Sequence, residues 1–217
     1  MTVIMGSKNK KKYLIGITGS FGTGKSFVGE VLNRCGIAVI DTDRIVKNIL
    51  SNKNQITKKI VTVFGKDILT PESKSCINKK KLAEIVFNNN SKRILLEKII
   101  HPEVKRRLHK LINKKKNKII VVLIPLLFES KLEEDYDEIW CVVCNLKVQL
   151  KRLKERGFSL KDSIRRIKAQ LPQNQKAKLA DFVIDNSSSR ANTKKQIINK
   201  LKSLAQLNRS SHLSSDK

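Results

Sequence analysis

Five short apolar runs punctuate the chain: Tyr13-Leu14-Ile15-Gly16-Ile17-Thr18, Ile37 to Ile40, Lys118 to Ile124, Glu138 to Cys144, and Phe182 to Ile184. Their near-continuous hydrophobicity, without polar alternation, predicts strands covered on both faces, as in a mostly parallel sheet. Between them apolar residues return at helical spacing. Phe27, Val28, Val31 and Leu32 follow the first run, Val148 to Gly157 and Leu160 to Leu171 follow the fourth, and Ile197, Ile198, Leu201 and Leu204 lie near the end. Alternation of this kind predicts a doubly wound α/β architecture, with the ligand site where the strands run out at their carboxyl ends.

About seventy residues separate the second and third runs, too many for a simple crossover loop. Helical periodicity over Ile56 to Phe64, Lys79 to Phe87, Ile94 to Ile100 and Val104 to Ile112 predicts a helical insertion there, residues 44–117. Asn88-Asn89-Asn90-Ser91 reads as a break, with Ser91 as a helix cap. The polar stretch from 187 to 217 predicts one more helix and then an unstructured tail.

Composition narrows this picture only slightly. A chain of 217 residues is expected to form one domain with inserted lobes. The formal charge of +27 and pI near 10.2 come mostly from lysines spread from Lys8 to Lys217. Aromatic residues are only 5% of the chain, and no zinc-finger, RNP or basic-zipper pattern occurs, so no specific nucleic-acid partner is expected, only salt-sensitive adhesion to polyanions. No apolar run approaches the ~20 residues that span a bilayer. Met1 to Lys12 lacks a signal-like core and Thr2 is not a myristoylation site, so a cytoplasmic location without a membrane partner is expected. Cys141 and Cys144 form a CxxC within a predicted strand, where residues three apart face opposite ways; buried thiols are the better reading than a metal or redox pair.

Chemistry appears at the strand ends. Gly19-Ser20-Phe21-Gly22-Thr23-Gly24-Lys25-Ser26 fits G-x-x-x-x-G-K-[ST], between a predicted strand and a predicted helix. In such a loop, glycines allow successive N–H groups to turn toward phosphate oxygens, the following helix adds its positive end, the lysine adds a mobile charge and the serine ligates Mg²⁺. The chain is therefore expected to handle a nucleoside triphosphate.

After the second strand, Asp41-Thr42-Asp43 supplies two carboxylates, on the same side if strand geometry continues one step. One of them suits orienting or deprotonating an acceptor hydroxyl, as a small-molecule kinase needs; the other reading of Asp41 is a turn residue capping the next helix. After the fourth strand, Arg152 and Arg156 stand four apart on one helical face. With Arg165 and Arg166 in the next helix and Gly157 between them, residues 146–172 read as a closing lid that excludes water and carries guanidinium groups to the transferring phosphate.

Taken together these motifs resemble the dephospho-coenzyme A kinase family. The resemblance runs from Ile15 to Asn186: the glycine loop, Val39-Ile40-Asp41-Thr42-Asp43, His101-Pro102, Pro125-Leu126-Leu127-Phe128-Glu129, the lid positions Gln149, Arg152 and Arg156, Arg166-Ile167-Lys168-Ala169-Gln170 with Pro172 and Lys176, and Ala180 to Asn186. It implies a three-layer P-loop kinase fold with a five-stranded parallel sheet, a helical acceptor-binding insertion and a helical lid. It also implies ATP and Mg²⁺, with dephospho-coenzyme A as acceptor at its ribose 3′-hydroxyl. Matched positions then take roles: Gly22, Thr23, Gly24, Lys25, Ser26, Phe27 and Arg156 on the nucleotide, Ser26 also on the metal, and Lys25, Asp43 and Arg152 in catalysis. Asp43, His101, Phe128 and Glu129 would contact the acceptor.

This sequence departs from the family pattern at Ser20, usually glycine, at Phe27, usually threonine, and at Thr42, usually alanine. Phe27 either alters the nucleotide edge or packs inward. The competing readings are a P-loop kinase with a nucleoside or nucleotide acceptor, and a basic nucleic-acid binder with a relic nucleotide site. Oligomeric state is not legible.

Overall fold

β1, Tyr13–Gly19, stands in the middle of a five-stranded sheet ordered β2-β3-β1-β4-β5 in the computed structural model, which describes residues 12–71, 76–87 and 89–213. The other strands are β2 (Ala38–Asp41), β3 (Ile119–Leu123), β4 (Glu138–Val143) and β5 (Phe182–Asp185). β1 pairs in parallel with β3, Ile15 opposite Val121, and with β4, Ile17 opposite Trp140; β4 pairs in parallel with β5. The five apolar runs thus form the strands, with boundaries moved by a residue or so. All three inner strands end on the same side, which is where the glycine loop leaves β1.

Two compact units divide the chain. One contains Met1–Val39 and Asn117–Lys217, the other Ile40–Lys116. In the first, α1 (Lys25–Arg34) and α9 (Arg190–Leu213) cover the sheet, burying Val28, Val31, Leu32, Ile197 and Leu204 against Ile15, Ile17, Val121, Trp140 and Ile184. α9 is also tied electrostatically: Lys200 Nζ lies 2.5 Å from Glu138 Oε1, and the Trp140 indole N–H donates to the same oxygen at 3.0 Å. α6 (Leu146–Glu155), α7 (Leu160–Lys168) and α8 (Gln173–Leu179) fill the stretch between β4 and β5.

The second unit is helical: α2 (Thr42–Ser51), α3 (Gln55–Phe64), α4 (Lys79–Phe87) and α5 (Asn90–Lys114). It has its own core of Leu50, Ile60, Ile68, Ile77, Leu82 and Ile100. Asn54 caps α3 reciprocally, accepting from Thr57 N while Thr57 Oγ1 accepts from Asn54 N. Glu103 accepts from Arg106 and Arg107, whose hydrogen bonds hold its carboxyl down at about 2, and Arg107 also donates to Asn48 on α2.

Four local expectations are corrected. Ile94 to Ile100 and Val104 to Ile112 are one helix, α5, that continues through Pro102. A proline inside a helix costs about 3 kcal/mol through its missing N–H and ring clash, but Leu96, Ile99, Ile100 and Val104, on both sides of it, pack on the same core and offset that cost. Asn89, not Ser91, caps α5, accepting from Lys92 N at 2.9 Å. The helix expected over Leu160 to Leu171 stops at Lys168, and a separate helix begins at Gln173. Extended geometry ends at Asp41, so strand alternation does not put Asp41 and Asp43 on one side. Among the described residues no helix is long and apolar enough to cross a membrane. Residues 1–11, Asn88 in the expected break, and the expected tail 214–217 lie outside the described residues.

Candidate active site

The glycine loop begins where β1 ends and closes on α1, which starts at Lys25 behind Gly24. Gly24 has φ +99°, in the left-handed region, and a Cβ there would overlap the Asn186 side-chain nitrogen. Gly22, at φ +86°, lies against Leu153, which a Cβ would meet at 2.8 Å. Only glycine satisfies both conditions at each position. No side chain caps α1, so its first-turn N–H groups and the positive end of its dipole face the loop.

Inside the turn, the Ser20 carbonyl gathers three donors: Thr23 N at 3.3 Å, Thr23 Oγ1 at 3.0 Å and Lys25 Nζ at 3.0 Å. Lys25 also donates to the Gly19 carbonyl at 2.7 Å, which holds its ammonium at the loop. Ser26 follows on the first turn of α1 with its side chain exposed. From α6, Arg152 brings a guanidinium whose Nη1 is buried, finds no hydrogen-bond partner among the described residues, and stands 3.8 Å from where a Gly24 Cβ would be. A buried unpaired cationic donor is costly; beside a nest of backbone amides, phosphate oxygens would satisfy it. The site therefore fits a nucleotide polyphosphate.

Comparison with known proteins agrees with this geometry. The dephospho-CoA kinase family model matches residues 13–192. The chain belongs to the dephospho-CoA kinase family. A dephospho-CoA kinase of Carboxydothermus hydrogenoformans is 44% identical over 85% of this chain and 91% of its own. A solved dephospho-CoA kinase from Campylobacter jejuni is 31% identical with a TM-score of 0.66, and a solved Thermus thermophilus protein is 27% identical with a TM-score of 0.81; each alignment covers 91% of this chain and 99% of the other.

The residues matched to the dephospho-CoA kinase pattern fall in both units. Gly22, Thr23, Gly24, Lys25, Ser26, Phe27, Phe128, Glu129, Arg152 and Arg156 belong to the sheet unit, while Asp43 and His101 belong to the helical one. Asp41 is the cap of α2, its Oδ1 accepting from Asp43 N at 2.9 Å, which matches the second of its two readings. Asp43 stands in the first turn of α2, where a helix dipole favours negative charge. His101 is exposed within α5. Phe27 packs inward against the main core with the Arg190 guanidinium 5.4 Å above its ring. Phe128 is buried at 7% exposure.

Arg156 ends α6, and its guanidinium lies over two rings, 6.0 Å from the Phe21 centroid and 5.7 Å from that of Phe158. The rings themselves meet edge to face at 5.2 Å, and Arg166 covers both at 5.4 Å. This places the end of α6 and α7 against the tip of the glycine loop through cation–π contacts.

Glu129 is engaged from within. Its Oε1 lies 2.8 Å from Lys176 Nζ and accepts from Leu171 N at 2.9 Å; Lys176 is fully buried and also donates to the Pro125 carbonyl at 2.7 Å. The Thr18 hydroxyl, on β1, donates to that same carbonyl. The Glu129–Lys176 pair thereby links the turn after β3 to the start of α8. Lys176→Met is expected to lower unfolding stability by about 3 kcal/mol, because the lost cation leaves a half-buried carboxylate without its counter-charge and the Pro125 carbonyl with the Thr18 hydroxyl as its remaining donor. Chemical denaturation checks this; an unchanged midpoint would show that water replaces the ammonium without loss.

Cys141 and Cys144 are both buried and free. Burial pushes the Cys141 thiol up to about 11, with Lys176 and Lys25 pulling the other way, and raises Cys144, which Arg152 opposes. Both remain protonated near neutrality and so are poor nucleophiles and poor metal ligands.

Sequence reasoning matched Gln149, Gln170 and Asn186 to the family without giving them work. The structure brings all three onto the outer side of the glycine loop: Gln149 Nε2 donates to the Phe21 carbonyl at 2.5 Å, Gln170 Oε1 accepts from Phe21 N at 2.9 Å, and Asn186 Nδ2 donates to the Thr23 carbonyl at 2.8 Å. They come from α6, the segment after α7 and the end of β5, so no local sequence pattern joins them to residues 19–26.

Proposed function

We propose that the protein transfers the γ-phosphoryl group of ATP to the ribose 3′-hydroxyl of dephospho-CoA, giving CoA and ADP. The observation that carries this is the buried Arg152 Nη1, without a hydrogen-bond partner among the described residues, beside a complete phosphate loop in a chain that belongs to the dephospho-CoA kinase family. Phosphoryl transfer proceeds through a loose transition state, so positioning and charge neutralisation do most of the work. Backbone amides from Gly22 to Ser26 hold the triphosphate, Lys25 follows the charge that moves from the γ-phosphoryl oxygens toward the leaving ADP, and Arg152 binds the same oxygens from the α6 side. Ser26, which follows Lys25, is the residue that would hold Mg²⁺, and the metal would supply charge neutralisation for the phosphates.

On the acceptor side Asp43 orients the 3′-hydroxyl and takes its proton as the new O–P bond forms and the bond to the β-phosphate oxygen breaks. His101 and Phe128 help seat the acceptor, and Glu129 acts through Lys176 and Leu171 to hold the turn that carries Phe128. Residues 146–172 close over the nucleotide so that water does not compete for the phosphoryl group. We read the protein as cytoplasmic, with no specific nucleic-acid partner.

The test is ADP release by purified protein with ATP and a panel of acceptors. Dephospho-CoA should exceed AMP, UMP, dTMP and uridine in kcat/KM by at least about 100-fold, as expected where a site is built to bind one acceptor's polar groups. Equal rates across the panel would defeat the assignment, and preference for a nucleoside or nucleotide would give the protein a different acceptor on the same donor loop.

A further inference from the structure

The peptide planes of the glycine loop are set from outside it, and the control reaches as far as the C-terminal helix. Asn186 follows β5 and is 2% exposed. Its own N–H donates to the Val143 carbonyl at 2.8 Å, which fixes it to the end of β4. Its side-chain nitrogen donates to the Thr23 carbonyl at 2.8 Å and lies against Gly24, while its side-chain oxygen accepts from the Thr193 hydroxyl at 2.9 Å. Thr193, fully buried in the first turn of α9 and also 3.4 Å from the Ser189 carbonyl, thus supplies the donor that the amide oxygen needs when the amide nitrogen faces the loop. An amide turned the other way would set two oxygens, its own and that of Thr23, against each other.

In a trans peptide the C=O and the N–H of the next residue point in opposite directions, and there is no cis peptide bond among the described residues. Drawing the Thr23 carbonyl outward therefore aims Gly24 N–H into the loop. Gln149 does the same one turn earlier, where its bond to the Phe21 carbonyl aims Gly22 N–H inward. The two N–H groups so directed belong to Gly22 and Gly24, two of the three loop glycines with positive φ.

We infer that Thr193 and Asn186 are positioning residues for ATP: the Thr193 hydroxyl orients the Asn186 amide, and that amide holds the Thr23–Gly24 peptide with its N–H toward the phosphates. The inference rests on the reading of residues 19–26 as the ATP site. α9 then has a task beyond covering the sheet. It is suited to it, because Ile197, Leu204 and the Lys200–Glu138 pair fix the helix on β4 and its neighbours.

Thr193→Val removes the hydroxyl at nearly constant volume. ATP Kd by calorimetry and ATP KM should both rise about tenfold, the effect of one misdirected hydrogen bond to a charged group, while kcat and the dephospho-CoA KM stay within about twofold. Thr193→Ser, which keeps the hydroxyl, should restore ATP affinity. A merely structural role would instead lower the melting temperature of Thr193→Val and leave its ATP Kd at the wild-type value, and that result overturns the inference. Wild-type protein that binds no ATP would overturn the reading of the loop as well, which separates the two failures. A measurement that needs no variant to fold is the ¹⁵N spectrum of the wild type. The Gly24 amide resonance should move strongly when ATP is added, and a Gly24 signal unmoved at saturating ATP would also overturn it.

Discussion

Lys25→Ala is expected to lower kcat/KM for ATP by at least about 100-fold, the loss that follows removal of one group aimed at transition-state charge, with the fold intact. Lys25 holds its ammonium at the loop itself, bonded to the carbonyls of Gly19 and Ser20. Its loss leaves the Ser20 carbonyl with two other donors, both from Thr23, so the turn keeps its internal closure. The stability change should therefore be no more than about 1 kcal/mol. Arg152 remains in the variant and supplies residual binding of phosphate, so ATP affinity should fall less than turnover. Lys25→Arg should not rescue, because a planar fork cannot follow the moving charge as a compact ammonium does. Steady-state kinetics beside a thermal melt separates these effects. Turnover unchanged in a folded Lys25→Ala protein would mean that residues 19–26 are not the donor site.

How much of this was legible in the chain differs by element. The three inner strands were readable because they are covered on both faces and so must be apolar along most of their length; β1, β3 and β4 bury most of their residues, while the edge strands β2 and β5 are shorter and only partly buried. The glycine loop was readable because its chemistry is local: the glycines, the lysine and the serine lie within eight consecutive residues. α5 was misread as two helices because proline is a local signal against helix, whereas the packing of Leu96, Ile99, Ile100 and Val104 that carries the helix past Pro102 is tertiary. α8 escaped because only seven residues long, polar, and built around a lysine, it has no apolar period to detect; Lys176 is buried there by a carboxylate and a carbonyl that lie about fifty positions earlier in the chain.

The support of the site was the least legible part. Gln149, Gln170 and Asn186 look like unremarkable polar residues, and nothing in their spacing says that their amides meet on one loop. Their signal was the family match at these positions combined with the absence of any charge that chemistry would need. An amide is what such a place requires: it can donate to or accept from a peptide group without adding charge beside a polyphosphate. Arg152 is the complementary case. Its charge was read from helical spacing with Arg156, but the two are placed differently, since Arg152 has its Nη1 buried beside Gly24 while Arg156 lies over Phe21 and Phe158.

Asp43→Asn should reduce kcat by about 100- to 1,000-fold, within the range that a positioned acid or base contributes, and leave the KM for dephospho-CoA within a few-fold. Asparagine keeps the size of the side chain and an oxygen that accepts a hydrogen bond from the 3′-hydroxyl, so the acceptor is still seated. On the proposed mechanism it could not take the hydroxyl proton, and it would lack the negative charge that aligns the attacking oxygen. The neighbouring carboxylate gives the contrast. Asp41 Oδ1 caps α2 through Asp43 N, and asparagine caps as well as aspartate, so Asp41→Asn should melt where the wild type does, whereas Asp41→Ala should lose about 1 kcal/mol of stability. If Asp43→Asn instead raised the acceptor KM and spared kcat, Asp43 would be a binding residue and the proton would leave by another route. The split between kcat and KM decides between these roles because only an interaction stronger in the transition state than in the ground state lowers kcat when it is removed.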